Sequence, residues 1–351
     1  MMVKNLFIDR KGHLTQLTAG LKGGKAYILI APRRMGKTTL AQEVLNQIRT
    51  DEQYLVIQID FMRYSNSVES IAEAIIENCL NALGFMGKLK RWIKQIEFSL
   101  TLKMKYDDLE IEPLIQLFKN KENKWDLLEH SLNLIENIAH TTGKKVIVFF
   151  DEFGELSEID EQVIKIFRSV LQLHEQVSYL FAGSQETLMA KIFVEKSGAF
   201  YRFGELVYLA EFASNEVLAL LTEMKIKFEV VHGIISLFNY HPYYTARIIK
   251  DLIISPHHAN SDAEFMEYIS TILIPSEMGY IELQREKLSK KANALEIMIN
   301  LSLQLDPYSL PLARQTIFKG LKYLETSGFI KKNGKNQYVV IDPLLRLYFS
   351  L

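Results

Sequence analysis

One cysteine in 351 residues, Cys79, excludes a disulfide framework and any cysteine-based zinc cluster. It falls in the apolar-rich helical run Ile71–Leu83 and reads as a buried thiol. Only 8 prolines and 17 glycines are present, which leaves no room for a long flexible linker. No uninterrupted apolar run approaches the length of a bilayer span. The opening Met1-Met2-Val3-Lys4-Asn5 reaches Asp9, Arg10 and Lys11 without the apolar core of a secretory signal. The expectation is a soluble, cytoplasmic protein with no membrane partner. A formal net charge of −1 offers nucleic acid no general attraction. Charge is uneven locally, however. Residues 281–351 hold 11 Lys/Arg against 6 Asp/Glu, and residues 81–105 hold 6 Lys/Arg against Glu97 alone. Each excess is either a solvated face or a surface for an acidic partner or a phosphate backbone. What the chain does have is size and 48% hydrophobic content, enough for two or three globular domains.

The first half alternates short apolar runs with amphipathic stretches, the rhythm of parallel-sheet units. Ala26–Ala31 predicts a strand and Lys37–Arg49 the helix after it, followed by strand Tyr54–Asp60 and helix Val68–Leu83. Asp126–Ala139 is helical, with Leu127, Leu128, Leu132, Leu134, Ile135 and Ile138 on one broad face. Val146–Phe150 is apolar throughout, as suits a strand covered on both faces. Helix Glu161–His174 and strand Ser178–Ala182 close the set. Between the second and third strands, residues 84–125 are too many for a simple loop and predict a helical insertion. From about residue 211 the pattern turns helical, over Ser214–Phe228, Val230–Asn239, Tyr244–Ile254, Asp262–Ile272 and Gln284–Leu301. Beyond Pro311, a helix Leu312–Thr326 precedes Gly328–Lys332, an Asn333-Gly334 turn and a returning strand Gln337–Ile341, the plan of a winged helix.

The chemistry concentrates where Ile28-Leu29-Ile30 runs into Ala31-Pro32-Arg33-Arg34-Met35-Gly36-Lys37-Thr38 and then, from Thr39, directly into helix. This is the Walker A arrangement, with alanine in place of its first glycine. Consecutive backbone N–H groups curve around a β-phosphate, and the helix start adds its own unpaired donors. Gly36 supplies a backbone conformation that a side chain would hinder. Lys37 reaches β/γ oxygens as a cation, and the Thr38 hydroxyl holds Mg²⁺. Ala31 is the departure, since its methyl must fit where the chain leaves the strand. A triphosphate site needs a carboxylate opposite this loop, and the strand ending in Asp151-Glu152 delivers one beside the metal, with Glu152 placed to activate water for attack on the γ-phosphate. Asp60 ends another strand and is either near the same edge or a turn cap. Ser184, after Phe181-Ala182-Gly183, lies beside the γ-phosphate or caps the helix that follows.

These residues resemble the archaeal-type P-loop ATPase family of the AAA+/STAND assemblage, found in archaea and also in bacteria. Leu6-Phe7-Ile8-Asp9-Arg10 is similar to its opening motif, Ala31 to Thr38 to its Pro-Arg-Arg form of Walker A, and Phe149 to Phe153 to its Walker B. Phe181-Ala182-Gly183-Ser184 resembles the fourth-strand sensor segment, and Phe200-Tyr201-Arg202-Phe203-Gly204 the segment after it. His241-Pro242-Tyr243-Tyr244 resembles the Gly-His-Pro-Tyr-Tyr element, and Asp342 to Phe349 the closing Asp-Pro-hydrophobic-hydrophobic-Arg motif. The resemblance implies an α/β P-loop NTPase core of AAA+ type, residues 1–210, a helical lid at 211–284 and a C-terminal winged-helix domain at 285–351. It implies ATP as ligand, ADP as product and Mg²⁺ as cofactor. It also implies Arg10 near the base and ribose, and Pro242 packed near the adenine. Arg202 would carry a charge to the γ-phosphate of its own or a neighbouring subunit, or is simply a surface arginine. Asp9, Ala31 and Tyr240 stand where the family has glycine, and the first and third touch the base side of the pocket. The expected function is an ATP-driven switch that repositions lid and winged helix. The alternatives are an ATP-regulated protein binding duplex DNA through the helix Leu312–Thr326, and a winged helix serving as a protein-docking module. An oligomer is compatible with each.

Overall fold

The computed structural model describes residues 10–64, 67–83, 123–183, 186–223, 228–259, 261–334 and 337–351. The expected insertion lies outside them except for residues 123–125, and so do the opening Leu6–Asp9 segment and Ser184. The chain divides into two compact units, Arg10–Ala210 and Glu211–Leu351.

The first unit is built on a parallel sheet. Its strands are β1 (Tyr27–Ile30), β2 (Tyr54–Asp60), β3 (Lys145–Asp151), β4 (Val177–Gly183) and β5 (Glu205–Tyr208), in the order β2-β3-β4-β1-β5. The three central strands are buried along nearly their whole length, which is why β3 reads as an unbroken apolar run. Helices α1 (Lys11–Lys22), α2 (Lys37–Arg49), α3 (Val68–Ala82), α4 (Lys124–Thr142), α5 (Glu161–Leu171) and α6 (Glu186–Phe193) surround it. Local chemistry sets the helix ends. Ser67 and Ser70 form a reciprocal capping box ahead of α3. The Asn123 side chain accepts from the Trp125 and Asp126 amides to start α4, which stops at left-handed Gly143. Cys79 lies fully buried on α3, and burial pushes its thiol up, away from reactivity.

Several elements escaped the sequence pattern, α1 and β5 among them. Helix α1 shows little beyond Leu17 and Leu21, one turn apart on its buried side. Strand β5 is four residues long with only Val207 buried, so an edge strand with three exposed residues leaves no apolar run to detect.

The second unit is helical with a small hairpin. It contains α7 (Ser214–Glu223), α8 (Phe228–Leu237), α9 (Pro242–Ile254), α10 (Asp262–Tyr268), α11 (Ile274–Ser289), α12 (Ala294–Ser302), α13 (Arg314–Thr326), the antiparallel pair β6 (Ile330–Lys332) and β7 (Tyr338–Val340), and α14 (Pro343–Ser350). One apolar core runs from Val217 through Leu345. The helix predicted over Gln284–Leu301 is interrupted after Ser289, where Asn293 adopts φ 61°, a left-handed conformation that asparagine tolerates better than most residues. Conversely, α10 does not stop: a π-turn at Ile269–Leu273 carries it into α11.

Candidate nucleotide site

In open α/β sheets ligands bind at the carboxyl ends of the strands, where strand order reverses. Here the chain leaves β1, crosses to β2 at the far edge, and returns through β3 and β4, so the loop after β1 meets the ends of β3 and β4. That loop is Ala31–Gly36. Arg34 (φ 66°) and Gly36 (φ 83°) are both left-handed, the backbone conformation from which anion-binding nests are built. A Cβ on Gly36 would meet nothing within 4 Å, so its requirement for glycine is one of backbone conformation alone. The Ala31 substitution is explained by burial: its methyl faces the core at 0% exposure, and its carbonyl accepts a hydrogen bond from Lys37 Nζ at 2.7 Å. Lys37 also donates to the Pro32 carbonyl at 2.8 Å and is itself buried. To reach a phosphate, the ammonium exchanges these two carbonyls for charged oxygens. Pro32 is half-buried, Met35 is buried, and Arg33 and Thr39 are exposed at the rim.

Opposite the loop, the Thr38 hydroxyl donates to Asp151 Oδ2 at 2.8 Å, joining the start of α2 to the end of β3. The two expected metal ligands are therefore neighbours. Asp151 is buried, and that burial holds its carboxyl above the usual range; the Thr38 bond opposes the shift, while the Glu152 and Asp60 charges reinforce it. Asp60 is the register partner of Asp151 on β2. Of its two expected roles it fulfils both in part: it ends the strand beside Asp151 and caps the following turn by accepting from Met62 N. Glu152 sits at φ 51°, its amide bonded to Asp151 Oδ1 at 3.1 Å. A left-handed non-glycine residue costs about 1–2 kcal/mol. Phe150 before it and Phe153 after it are fully buried in an aromatic cluster with Phe181, and burying such a ring contributes roughly 1.5–3 kcal/mol. The neighbours can therefore hold the strained glutamate in place.

Arg10 is a strut of the loop. Its Nη2 donates to the Met35 carbonyl at 3.0 Å and to the Ala210 carbonyl at 2.8 Å, tying the P-loop to the chain leaving β5. Motif matching alone associated it with base and ribose and missed this service.

Arg202 lies apart from the loop. It lies just before β5, and the first rung of that strand is Glu205 N to Ala26 O, at the amino end of β1. The strand's other end, Leu209 N to Ile30 O, adjoins the P-loop. Arg202 is thus near the amino end of β1, a strand length of about 13 Å from the loop. It is exposed, its guanidinium over the Tyr201 ring at 5.3 Å, and it does not reach the phosphate loop of its own chain.

In the second unit Pro242 is buried at the first turn of α9, where its missing N–H costs nothing. Tyr240, two residues earlier, has φ 53°. This explains the glycine the family places there: the turn demands a left-handed residue.

The same architecture occurs among known proteins. The family described as the ATPase domain predominantly from Archaea matches residues 7–232. No match is found among curated proteins. Among solved structures, the Walker-type ATPase PABY2304 of Pyrococcus abyssi is similar over 98% of this chain and 96% of its own, at 15% identity and a TM-score of 0.68. The Aeropyrum pernix ORC2 protein, solved as ADPNP–ADP complexes, is similar over 96% of this chain and 91% of its own, at 11% identity and a TM-score of 0.57. Its ADP form covers 97% and 93%, at 11% identity and a TM-score of 0.51.

Proposed function

The chain belongs to the family of ATPase domains found predominantly in Archaea, and from that premise we propose that it is an Mg²⁺-dependent ATPase whose nucleotide state sets the disposition of its helical lid and winged-helix segments. The observation that carries this reading is the Thr38–Asp151 hydrogen bond, which brings a hydroxyl and a carboxylate together beside a phosphate nest. Both are hard oxygen donors, suited to Mg²⁺. Among the described residues no group of three or more His, Cys, Asp or Glu side chains is placed to hold a metal ion. Such a cation would be held by these few protein ligands and completed by substrate phosphates. Bound there, Mg²⁺ would neutralise charge on the β- and γ-oxygens.

The residues divide the work. Amides of the loop and of the start of α2 hold the β-phosphate, and Lys37 balances charge on the β- and γ-oxygens. Glu152 accepts a proton from water as the water oxygen bonds to the γ-phosphorus. The bond from that phosphorus to the bridging oxygen breaks, ADP keeps the electron pair, and inorganic phosphate leaves. The family resemblance alone assigns Ser184 a role at the γ-phosphate, Pro242 one at the adenine and Arg202 one on its own or a neighbouring subunit.

Two variants test this. Lys37→Ala, losing a charged contact in a desolvated site, should weaken ATP binding by about 2–5 kcal/mol in calorimetric titration. Glu152→Gln should still bind Mg²⁺ and ATP but hydrolyse it about 10²–10⁴-fold more slowly in single turnover. Parental affinity in the first removes the P-loop reading, and parental hydrolysis in the second removes Glu152.

Duplex DNA is the alternative downstream partner. Favouring it, Arg314, Gln315, Phe318, Lys319 and Lys322 are all exposed on one side of α13, and Lys331 and Lys332 are exposed on β6. Phosphate binding requires affinity to fall as salt rises, and alanine at Lys319, Lys322 and Lys332 to flatten that slope in an anisotropy titration. Absence of binding at low salt leaves a protein as the partner.

A further inference from the structure

Strands β2 and β3 run parallel and in register, from Tyr54 opposite Lys145 to Asp60 opposite Asp151. Both therefore end on an aspartate. Neighbouring strands lie about 4.8 Å apart and residues in register share a face, so the two carboxylates stand side by side. Like charges directly opposite each other destabilise a sheet. The chain holds them together nonetheless. Phe61, the residue after Asp60, is fully buried and stacks on Phe150 with ring centroids 5.4 Å apart. It also meets Phe153 at 6.2 Å and Phe167 at 5.8 Å, both edge to face. The end of β2 is thus pinned to the end of β3 by the same rings that flank Glu152.

The two aspartates differ in surroundings. Asp151 is buried and accepts the Thr38 hydroxyl. The Asp60 side chain is 35% exposed. Its Oδ1 accepts from Met62 N at 3.1 Å, which caps the turn Phe61–Arg63. Its Oδ2 lies 3.4 Å from Nε of Arg63, whose side chain is 76% exposed, so that ion pair is weak and screened by salt. A carboxylate has about four lone-pair sites, and both oxygens of Asp60 keep capacity to accept from water. Mg²⁺ dehydrates reluctantly and retains several waters when it binds through one or two carboxylates. An aspartate one strand away from the ligating one suits that water rather than the ion itself.

We infer that Asp60 is a positioning residue for nucleotide-bound Mg²⁺, accepting hydrogen bonds from water that the ion carries and adding its charge to that of Asp151. The inference rests on the proposed Mg²⁺ at Thr38 and Asp151. It also gives the like-charged pair a purpose. A divalent cation beside two neighbouring carboxylates is attracted by both, and their mutual repulsion is offset. Groups that hold a metal's ligands in this way contribute to metal affinity without touching the reacting atoms.

The test uses the full chain, with ATP titrated calorimetrically at saturating Mg²⁺ and again in EDTA, and circular dichroism reporting the fold. Asp60→Asn separates the two roles of the residue, because asparagine caps as well as aspartate does and carries no charge. Partners of metal ligands are worth about 10–100-fold in metal affinity, so the advantage that Mg²⁺ gives ATP binding should fall by about tenfold or more. Affinity in EDTA should stay parental or rise, since a negative charge near the phosphates is gone. Asp60→Ser, which also caps, should behave likewise and stands in if the asparagine variant does not fold. A folded variant with the parental Mg²⁺ advantage overturns the inference and leaves Asp60 as a turn cap. An equal loss of affinity with Mg²⁺ and in EDTA overturns it too, as the mark of a displaced loop. In either case, loss of the advantage in Asp151→Asn keeps the Mg²⁺ reading itself standing. Parental protein that binds ATP no better with Mg²⁺ than in EDTA overturns both.

Discussion

At the scale of the residue, the site is a set of polar groups engaged with one another and available for exchange. Lys37 neutralises its own loop's carbonyls, and Thr38 caps the charge on Asp151. Asp151 shows the cost of such an arrangement. Burial raises its folded pKa above the ordinary carboxylate value, so the folded protein resists ionising it. The sign follows: stability is full below the unfolded pKa, is lost as pH rises through the raised folded value, and stays lost at neutral pH. Asp151→Asn keeps an acceptor for Thr38 and removes the charge. In nucleotide-free protein it should raise Tm at neutral pH, with the gain vanishing below about pH 4, while Mg²⁺-dependent ATP binding falls. Scanning calorimetry across a pH series checks the first part; a gap independent of pH would assign the effect to packing.

At the scale of the element, the P-loop is placed by its neighbours more than by itself. Strand β1 lies between β4 and β5, and the β5 side allows no spacing to spare. A Cβ on Gly204 would fall 2.6 Å from the Ala26 carbonyl oxygen and 2.8 Å from its carbon, both backbone atoms that cannot step aside. The adjacent Glu205 N to Ala26 O bond is the first rung joining the two strands. Gly204→Ala should therefore destabilise the fold by about 1–3 kcal/mol through overpacking, read as a lower denaturation midpoint with unchanged m-value. An unchanged midpoint would mean that β5 shifts freely, and with it the Ala210 carbonyl that Arg10 holds.

At the scale of the whole molecule, the place of Arg202 makes the number of chains a functional question. Arg202 stands about a strand's length from its own phosphate loop, which makes a neighbour's loop the reading to test. If it serves a neighbour, turnover per chain rises with protein concentration. Mixing Lys37→Ala with Arg202→Ala should then restore turnover that neither has alone, because one supplies the arginine and the other the intact loop. A mixture no more active than its parts, with turnover independent of concentration, makes Arg202 a surface residue. The sequence by itself determined what local chemistry can encode: the apolar runs that become β1 to β4, the phosphate loop with Gly36 and Lys37, and Asp151 with Glu152 at a strand end. Those functions require particular residue types at short spacing, so a linear pattern carries them. Tertiary structure alone decided that β5 lies beside β1, that Ala31 turns its methyl inward, and that Arg10 braces the loop from behind. It alone put Arg202 near the amino end of β1, and paired Arg346 with the Leu237 carbonyl and Asp342 with Tyr244 and Tyr280. Each of these depends on which segments pack together across tens to hundreds of residues. Burial and hydrogen-bond geometry settle that, and neither is a property of any one stretch of chain.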